Sequence, residues 1–295
     1  MWSWKRVFRG LCSVGGVAGL IAAATAGTAQ PDRFDILASG ERGRTYHDLY
    51  APALIKLLPA FRLRNRTTSG SGENLDMLAS GKATLAFAQA DLYAARLRSD
   101  PARYQGLTVI GRLTDECVYL AHRVGGPVES FAALAKPANP VPKIAVGPAG
   151  GGMSGTWRFL TSLEPGLAQA KTLDTGGTLA LNQLSIGMLD VAGWVTDPRN
   201  LEHTLLRGVQ ANADLALLPI TEPKLAYALP NGTAIYQIDT VSLGGDEETG
   251  GEQSLTTLCT SAMLFAKADA NPRLVEAASQ VLSLQHDTLL GLESD

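Results

Sequence analysis

Residues 143 to 156 read Lys-Ile-Ala-Val-Gly-Pro-Ala-Gly-Gly-Gly-Met-Ser-Gly-Thr. A short apolar strand runs into a glycine-dense turn, and a hydroxyl-bearing helix start follows. Gly150, Gly151 and Gly152 carry no side chain, so their N–H groups and the positive helix end stand open to something negative. Ser154 and Thr156 add hydroxyls to the first turn. Two ligands suit such a turn. One is a dinucleotide, because Gly150, Gly152 and Gly155 spell G-x-G-x-x-G and Asp174 follows about 20 residues on. The other is a small carboxylate. The glycine pattern alone is weak in a chain with 31 glycines. Nucleophilic catalysis has less behind it, since Ser154 does not sit in a G-x-S-x-G elbow.

Other polar turns share the position of this one, at the carboxyl end of an apolar strand. Ser39-Gly40 closes a strand that begins at Phe34. Thr68-Ser69-Gly70-Ser71-Gly72-Glu73-Asn74 links a strand to a helix, and Gln89-Ala90-Asp91 ends a third strand. Ligands of open α/β sheets sit beyond such strand ends. Each turn alone has an ordinary reading as a helix cap. Four of them, divided between two units, favour a cleft. Arg44 follows the first strand, where a guanidinium can grip a carboxylate through two hydrogen bonds; its plainer reading is a solvated loop charge.

The elements that must position these turns are legible as alternating strands and helices. Apolar residues recur at helical spacing from Tyr46 to Leu58. Strands are predicted at 34–38, 62–68, 84–88, 107–113 and 118–122, with helices between the first four. Gly125-Gly126-Pro127 then marks a crossing to a second unit. That unit holds the glycine turn, its helix at 154–163, a strand at 188–195 broken by Gly193, and a predicted helix at 222–229. A second glycine-rich stretch, Gly244 to Gly251, is read as the return crossing before a last strand at 262–266 and a helix at 272–284.

The N-terminus adds a compartment. Lys5, Arg6 and Arg9 precede an uncharged stretch from Leu11 to Ala26, and small residues follow, the layout of a secretory leader of about 29 residues. Export to the periplasm is the expectation. This segment holds three of the 25 Lys+Arg and none of the 28 Asp+Glu, so the remainder carries a formal charge of −6. Such a balance disfavours nucleic acid as a partner, and any anion site must be local. Free nicotinamide cofactors are scarce outside the cell, which weakens the dinucleotide reading. No cofactor is expected, and the scattered His47, His122, His203 and His286 give no metal-ligand spacing. Cys117 and Cys259 remain after the leader; an oxidising compartment favours their pairing, and two separate buried thiols acting as small apolar residues are the alternative.

The run Thr68-Ser-Gly-Ser-Gly-Glu-Asn-Leu-Asp-Met-Leu-Ala-Ser-Gly-Lys-Ala-Thr-Leu-Ala-Phe-Ala-Gln-Ala-Asp91 resembles the signature of the TAXI family, the extracytoplasmic solute receptors of TRAP-type transporters. Val146 to Thr156 is similar to that family's V-G-P-x-G-S-G-T motif, and Ile186 to Trp194 resembles a third stretch that ends on an aromatic residue. The resemblance implies an α/β type II periplasmic-binding-protein fold, two α/β lobes joined by a two-crossing hinge. It implies lobe I at 30–124 and 257–295, lobe II at 125–256, and a small organic anion, carboxylate or amino acid, between them. The function implied is solute capture for TRAP-type membrane subunits, without catalysis. The contacts it implies are Ser69, Gly70, Asn74, Gln89, Asp91 and the Gly150-Gly151-Gly152 turn with Ser154 and Thr156. Tyr46 matches one tyrosine of the family's first motif, and Arg44 and Trp194 complete the set. Departures from the pattern, among them Arg42 and Arg44 and a short C-terminus, leave a second reading open: an exported ligand-sensing module of the same fold without a transporter.

Overall fold

A strand buried on both faces reads as an unbroken apolar run. Leu85–Gln89 (β3) is such a strand, buried at all five positions. It belongs to a computed structural model that describes residues 34–229, 232–245 and 252–292. The leader-like segment at 1–29 lies outside the described residues, as does 246–251 of the acidic glycine-rich stretch.

The sheet runs in the order β2 (Leu63–Thr67), β1 (Asp35–Gly40), β3, β11 (Glu252–Ala266), β4 (Thr108–Arg123), β7 (Val191–Thr196), β5 (Lys143–Ala145), β6 (Lys171–Leu173). At one end β1 lies parallel to β2 and β3; at the other, β5 lies parallel to β6 and β7. Between these half-sheets, β11 and β4 run antiparallel to each other and to β3 and β7. Three further strands extend the frame: β8 (Leu215–Leu217) on β4, β10 (Ala234–Gly245) on β11, and β9 (Tyr227–Ala228) on β10.

Helices cover each half-sheet. In the first half these are a π-helical turn at Tyr46–Tyr50, α1 (Ala51–Leu57), α2 (Ser71–Ala79), α3 (Ala90–Ser99) and α4 (Pro101–Tyr104). The second half carries α5 (Phe131–Leu134), α6 (Gly152–Leu163), α7 (Gly177–Ser185) and α8 (Thr204–Gln210), and the chain ends on α9 (Pro272–Leu284) and α10 (His286–Leu290) over the first. Leu37, Leu54, Phe87 and Leu274 form one core; Ile144, Trp157, Phe159 and Leu160 form another. Ala90 and Ala94 of α3 belong to the second core, so this helix packs α6 as well as its own sheet. Gly155 makes the approach possible, since a Cβ there would lie 2.6 Å from Leu92 Cδ2.

The chain passes between the halves inside two long strands. The expected strands at 107–113 and 118–122 are one, β4. Thr114, Asp115 and Glu116 interrupt its apolar pattern because they stand where the strand has left one core and not yet entered the next. The strand expected at 262–266 likewise begins at Glu252, and Gly244 and Gly245 pair with Gln253 and Glu252 in a hairpin. The predicted helix at 222–229 is instead a single 3-10 turn at Pro223–Leu225 leading into β9, because Leu225 is the only buried residue of the turn and the next residues pair with β10. β6 escaped notice as a three-residue edge strand with two exposed positions.

Cys117 and Cys259 face each other in the β4–β11 register and form a disulfide with a Cα–Cα distance of 4.0 Å. The closed loop is long, at a sequence separation of 142. Loop-closure entropy then gives a stabilisation of up to about 5 kcal/mol. Cys117→Ser/Cys259→Ser is expected to shift the urea midpoint down by a measurable part of that amount, and reduction of the wild type to do the same. Equal midpoints in denaturant melts of the reduced and oxidised protein would refute the role.

Candidate functional site

The ends of β1, β3, β5 and β7 and the middle of β4 surround a cleft of about 580 Å³, within the usual range for small-molecule sites. The first half contributes Ser39 to Tyr46, Ser69 to Ser71 and Gln89; the second contributes Gly147, Pro148, Gly151, Gly152, Gly176 to Thr178, Trp194 and His203. Glu116 lies on the crossing strand between them.

Three of the helices that start at this cleft do so on glycine. Gly70 and Ser71 open α2, Gly151 and Gly152 open α6, and Gly176 and Gly177 open α7. No side chain caps any of the three. By contrast, Asp100, Ser130 and Asn271 cap α4, α5 and α9, which begin elsewhere. An uncapped helix start leaves backbone N–H donors without intrahelical partners and places the positive end of the dipole on whatever faces it. Glycine also lets the two halves meet main chain to main chain. Gly70 has φ +129°, and a Cβ on it would lie 3.2 Å from Gly150 O and 3.3 Å from Gly151 Cα. The room beside Gly150, where a pyrophosphate would approach, is thus taken by the other half, with Ser69 Oγ 2.8 Å from the position of a Gly150 Cβ.

Of the residues singled out from sequence, Arg44, Tyr46, Ser69, Gly70, Gln89, Gly151, Gly152 and Trp194 line the cleft. Their parts differ. Ser69 commits both its N–H and its hydroxyl to Glu73 Oε2, at 2.7 and 2.8 Å. Arg44 is largely exposed and stands 3.9 Å from Glu41, its carboxylate partner. Gly150 forms the seam with Ser69 rather than the wall. Ser154 is buried on α6 and does not reach the cleft.

Asn74, Asp91 and Thr156 are corrections to the expected contact set, for all three are fully buried behind the wall. Asn74 donates to Phe87 O at 2.7 Å and accepts from Thr68 Oγ1 at 2.5 Å, tying the start of α2 to β3. Asp91 accepts from Thr156 Oγ1 at 2.6 Å and from Tyr236 OH at 2.7 Å. Gln89 donates to the same Thr156 hydroxyl at 3.4 Å. This network joins α3, α6 and β10. Burial raises the carboxyl pKa of Asp91, against the pull of its hydrogen bonds. Strand-end position alone could not separate a side chain facing the cleft from one facing the seam.

Glu116, His203 and the Gly176-Gly177-Thr178 turn went unnoticed in the sequence. The turn had a readable signal, a second Gly-Gly pair after a short strand. Tyr119, Trp194 and His203 form a ladder of parallel rings, with centroids 5.5 and 6.1 Å apart. Burial, then the charge of Arg44, lowers the His203 pKa, so the ring is neutral near pH 7. Among the described residues, three buried polar atoms of the cleft have no hydrogen-bond partner: Tyr46 OH, Trp194 Nε1 and His203 Nδ1. Such orphans call for a bound group. Burial, with the nearby carboxylates of Asp91 and Asp197, pushes the Glu116 carboxyl up to about 8, against a smaller lowering by Tyr46.

No protein-family model matches this chain, and no curated protein matches it. Solved structures do. A Xanthomonas citri protein bound to ATP superposes with a TM-score of 0.53 at 12% identity, covering 87% of this chain and 86% of that one. The GluR0 ligand-binding core from Nostoc punctiforme in complex with L-glutamate gives 0.51 at 11%, over 87% and 96%. A second GluR0 core complex with L-glutamate gives 0.51 at 10%, over 90% and 97%. The chain therefore has the two-lobed α/β fold of periplasmic-binding type, as expected.

Two outcomes follow from this placement. Asn74→Ala is expected to lower stability by roughly 1–3 kcal/mol, the cost of leaving buried partners unsatisfied, as read by urea melts. An unchanged melt would put Asn74 back among the ligand contacts. Glu116 has a folded pKa of about 8 against an ordinary value of 4.5, so the folded state holds its proton longer than the unfolded one. Its contribution is present in full below pH 4.5 and is lost as pH rises to about 8. Glu116→Gln should flatten that part of the stability–pH curve; superimposable curves for the two proteins would show an ordinary carboxylate.

Proposed function

We propose that this chain is an exported solute receptor of the TAXI type, which closes its two halves on a small organic anion, carboxylate or amino acid, and presents the closed form to TRAP-type membrane subunits. The observation that carries the anion is the convergence of three uncapped helix starts on one cleft. Each offers main-chain donors and a dipole end of the right sign. The orphaned Trp194 Nε1, Tyr46 OH and His203 Nδ1 supply side-chain polarity on the same walls. A micromolar affinity needs about 8 kcal/mol, which a few charge-assisted hydrogen bonds in a desolvated cleft supply. The leader-like N-terminus supports export, and the motifs at 68–91, 146–156 and 186–194 support the family reading. Closure is the work of such a receptor: binding energy selects the shut conformer, and the membrane partner reads it.

A thermal-shift series over dicarboxylates, 2-oxoacids and amino acids tests the reading, since a ligand at 100 times its Kd adds about 2.7 kcal/mol of stability. Trp194→Phe keeps the ring and removes its N–H donor. It is expected to weaken the best ligand by about 1–2 kcal/mol, roughly five- to thirtyfold, with the melting temperature of the free protein unchanged. A flat series, or undiminished affinity in the variant, would overturn the assignment of the cleft. Loss of uptake of that ligand in the native host on deletion of its TRAP-type membrane subunits tests the partner; undisturbed uptake would favour a sensor.

A further inference from the structure

Three glutamates line the cleft, and arginines match two of them: Glu41 has Arg44 at 3.9 Å, and Glu202 has Arg207. Glu116 has no such partner among the described residues. It projects from the middle of β4, where the strand crosses between the halves. The groups that act on it are Tyr46 of the π-helical turn, Asp91 at the start of α3 and Asp197 past the end of β7. Tyr50 lies close enough to feel its charge. Across the ladder stands Thr260 of β11, directly opposite and therefore on the same face. Arg199, past the end of β7, is taken by Asp197 at 2.6 Å.

Two of these neighbours are orphans. Tyr46 OH and Thr260 Oγ1 have no hydrogen-bond partner, and their residues are 9% and 2% exposed. The Tyr46 phenol lies against the Glu116 carboxyl without the alignment of a made hydrogen bond. A half-buried carboxyl that faces the carboxylates of Asp91 and Asp197, with no cation acting on it among the described residues, keeps its proton against the pull of the Tyr46 hydroxyl. In that form it is a donor, and the cleft it faces draws anions.

We propose that Glu116 meets the ligand as a neutral acid, donating its O–H to a carboxylate oxygen while Tyr46 and Thr260 complete the shell, so that the cleft takes up an organic anion together with a proton. This rests on the reading of the cleft as an anion site and adds the residue that sets its pH range. No covalent bond changes; the proton stays on Glu116 and is shared with the ligand oxygen. Once Glu116 ionises, its charge repels the anion. A ligand ammonium at the same place would require the opposite, an ionised Glu116 and a proton released on binding.

The test uses succinate, 2-oxoglutarate and L-glutamate as probes, titrated calorimetrically into the full exported protein. With Glu116 half-ionised near pH 8, the apparent Kd of the best probe should be roughly tenfold weaker at pH 9 than at pH 7. Heats in two buffers of different ionisation enthalpy at pH 8 should report net proton uptake. Glu116→Gln cannot titrate, so whatever affinity it retains should no longer change from pH 7 to pH 9; its melting temperature checks the fold. Tight binding that stays flat from pH 7 to 9, or that releases a proton, overturns this proposal and leaves the anion site standing. Wild-type protein that binds none of the probes overturns both.

Discussion

The antiparallel pairing of β4 with β11 is the constraint on which the rest of the molecule depends. Each half-sheet owes its orientation to these two strands, because β3 hangs on β11 and β7 on β4. A sheet ladder transmits twist but resists shear, and the Cys117–Cys259 bridge pins the register near its centre. Any opening of the halves must therefore bend this ribbon rather than slide it. The bend has a natural place at Thr114 to Glu116, where the strand has neither core beneath it. The buried set of Asp91, Thr156 and Tyr236 opposes bending from the far side of α3. Closure is thus a balance between a stapled ribbon, a polar latch and the energy of whatever fills the cleft.

Electrostatics reaches the site by a different route from the overall charge. Beyond residue 29 the chain is acidic, with a formal charge of −6, and the one arginine lining the cleft among the described residues already faces a glutamate. Attraction for an anion must come from dipoles that are fixed by secondary structure and cost no counter-charge. Helix starts meet that need, and they act over a turn or less. Distant substrate steering is correspondingly weak, and discrimination falls to contacts inside the closed cleft. His203, kept neutral by burial and by Arg44, suits that task as a hydrogen-bonding ring rather than a charge.

Much of this architecture was legible in the residues. Unbroken apolar runs such as Leu85–Ala88 declared buried strands, and the glycine-rich turns at 68–72 and 147–152 declared helix starts at strand ends. What escaped followed from two physical causes. A strand that bridges two cores loses its apolar pattern where it is in neither, so Thr114-Asp115-Glu116 looked like a break and hid the acid on the cleft floor. A polar residue just past a strand end has two places to go, and only the packing of α2 on β3 sends Asn74 inward, and that of α3 against α6 sends Asp91 and Thr156 inward, while Ser71 and Gln89 stay at the wall. The disulfide was within reach because only two cysteines lie beyond the leader-like segment and the expected export favoured a bridge; its cross-strand register was not.

The glycine seam has a consequence for how such a protein diversifies. Where main chain shares with side chains the grip on a charged group, its share is indifferent to most substitutions around it. Trp194, His203, Arg44 and Tyr46 can be exchanged to reshape the side-chain contacts of the cleft while Gly70, Gly151 and Gly176 keep their share. Lineages sharing this scaffold can then change diet without rebuilding their anchor. An alanine scan of the walls would map preference among cargoes and miss the anchor itself, which yields only to changes in the backbone or to bulk placed on the glycines.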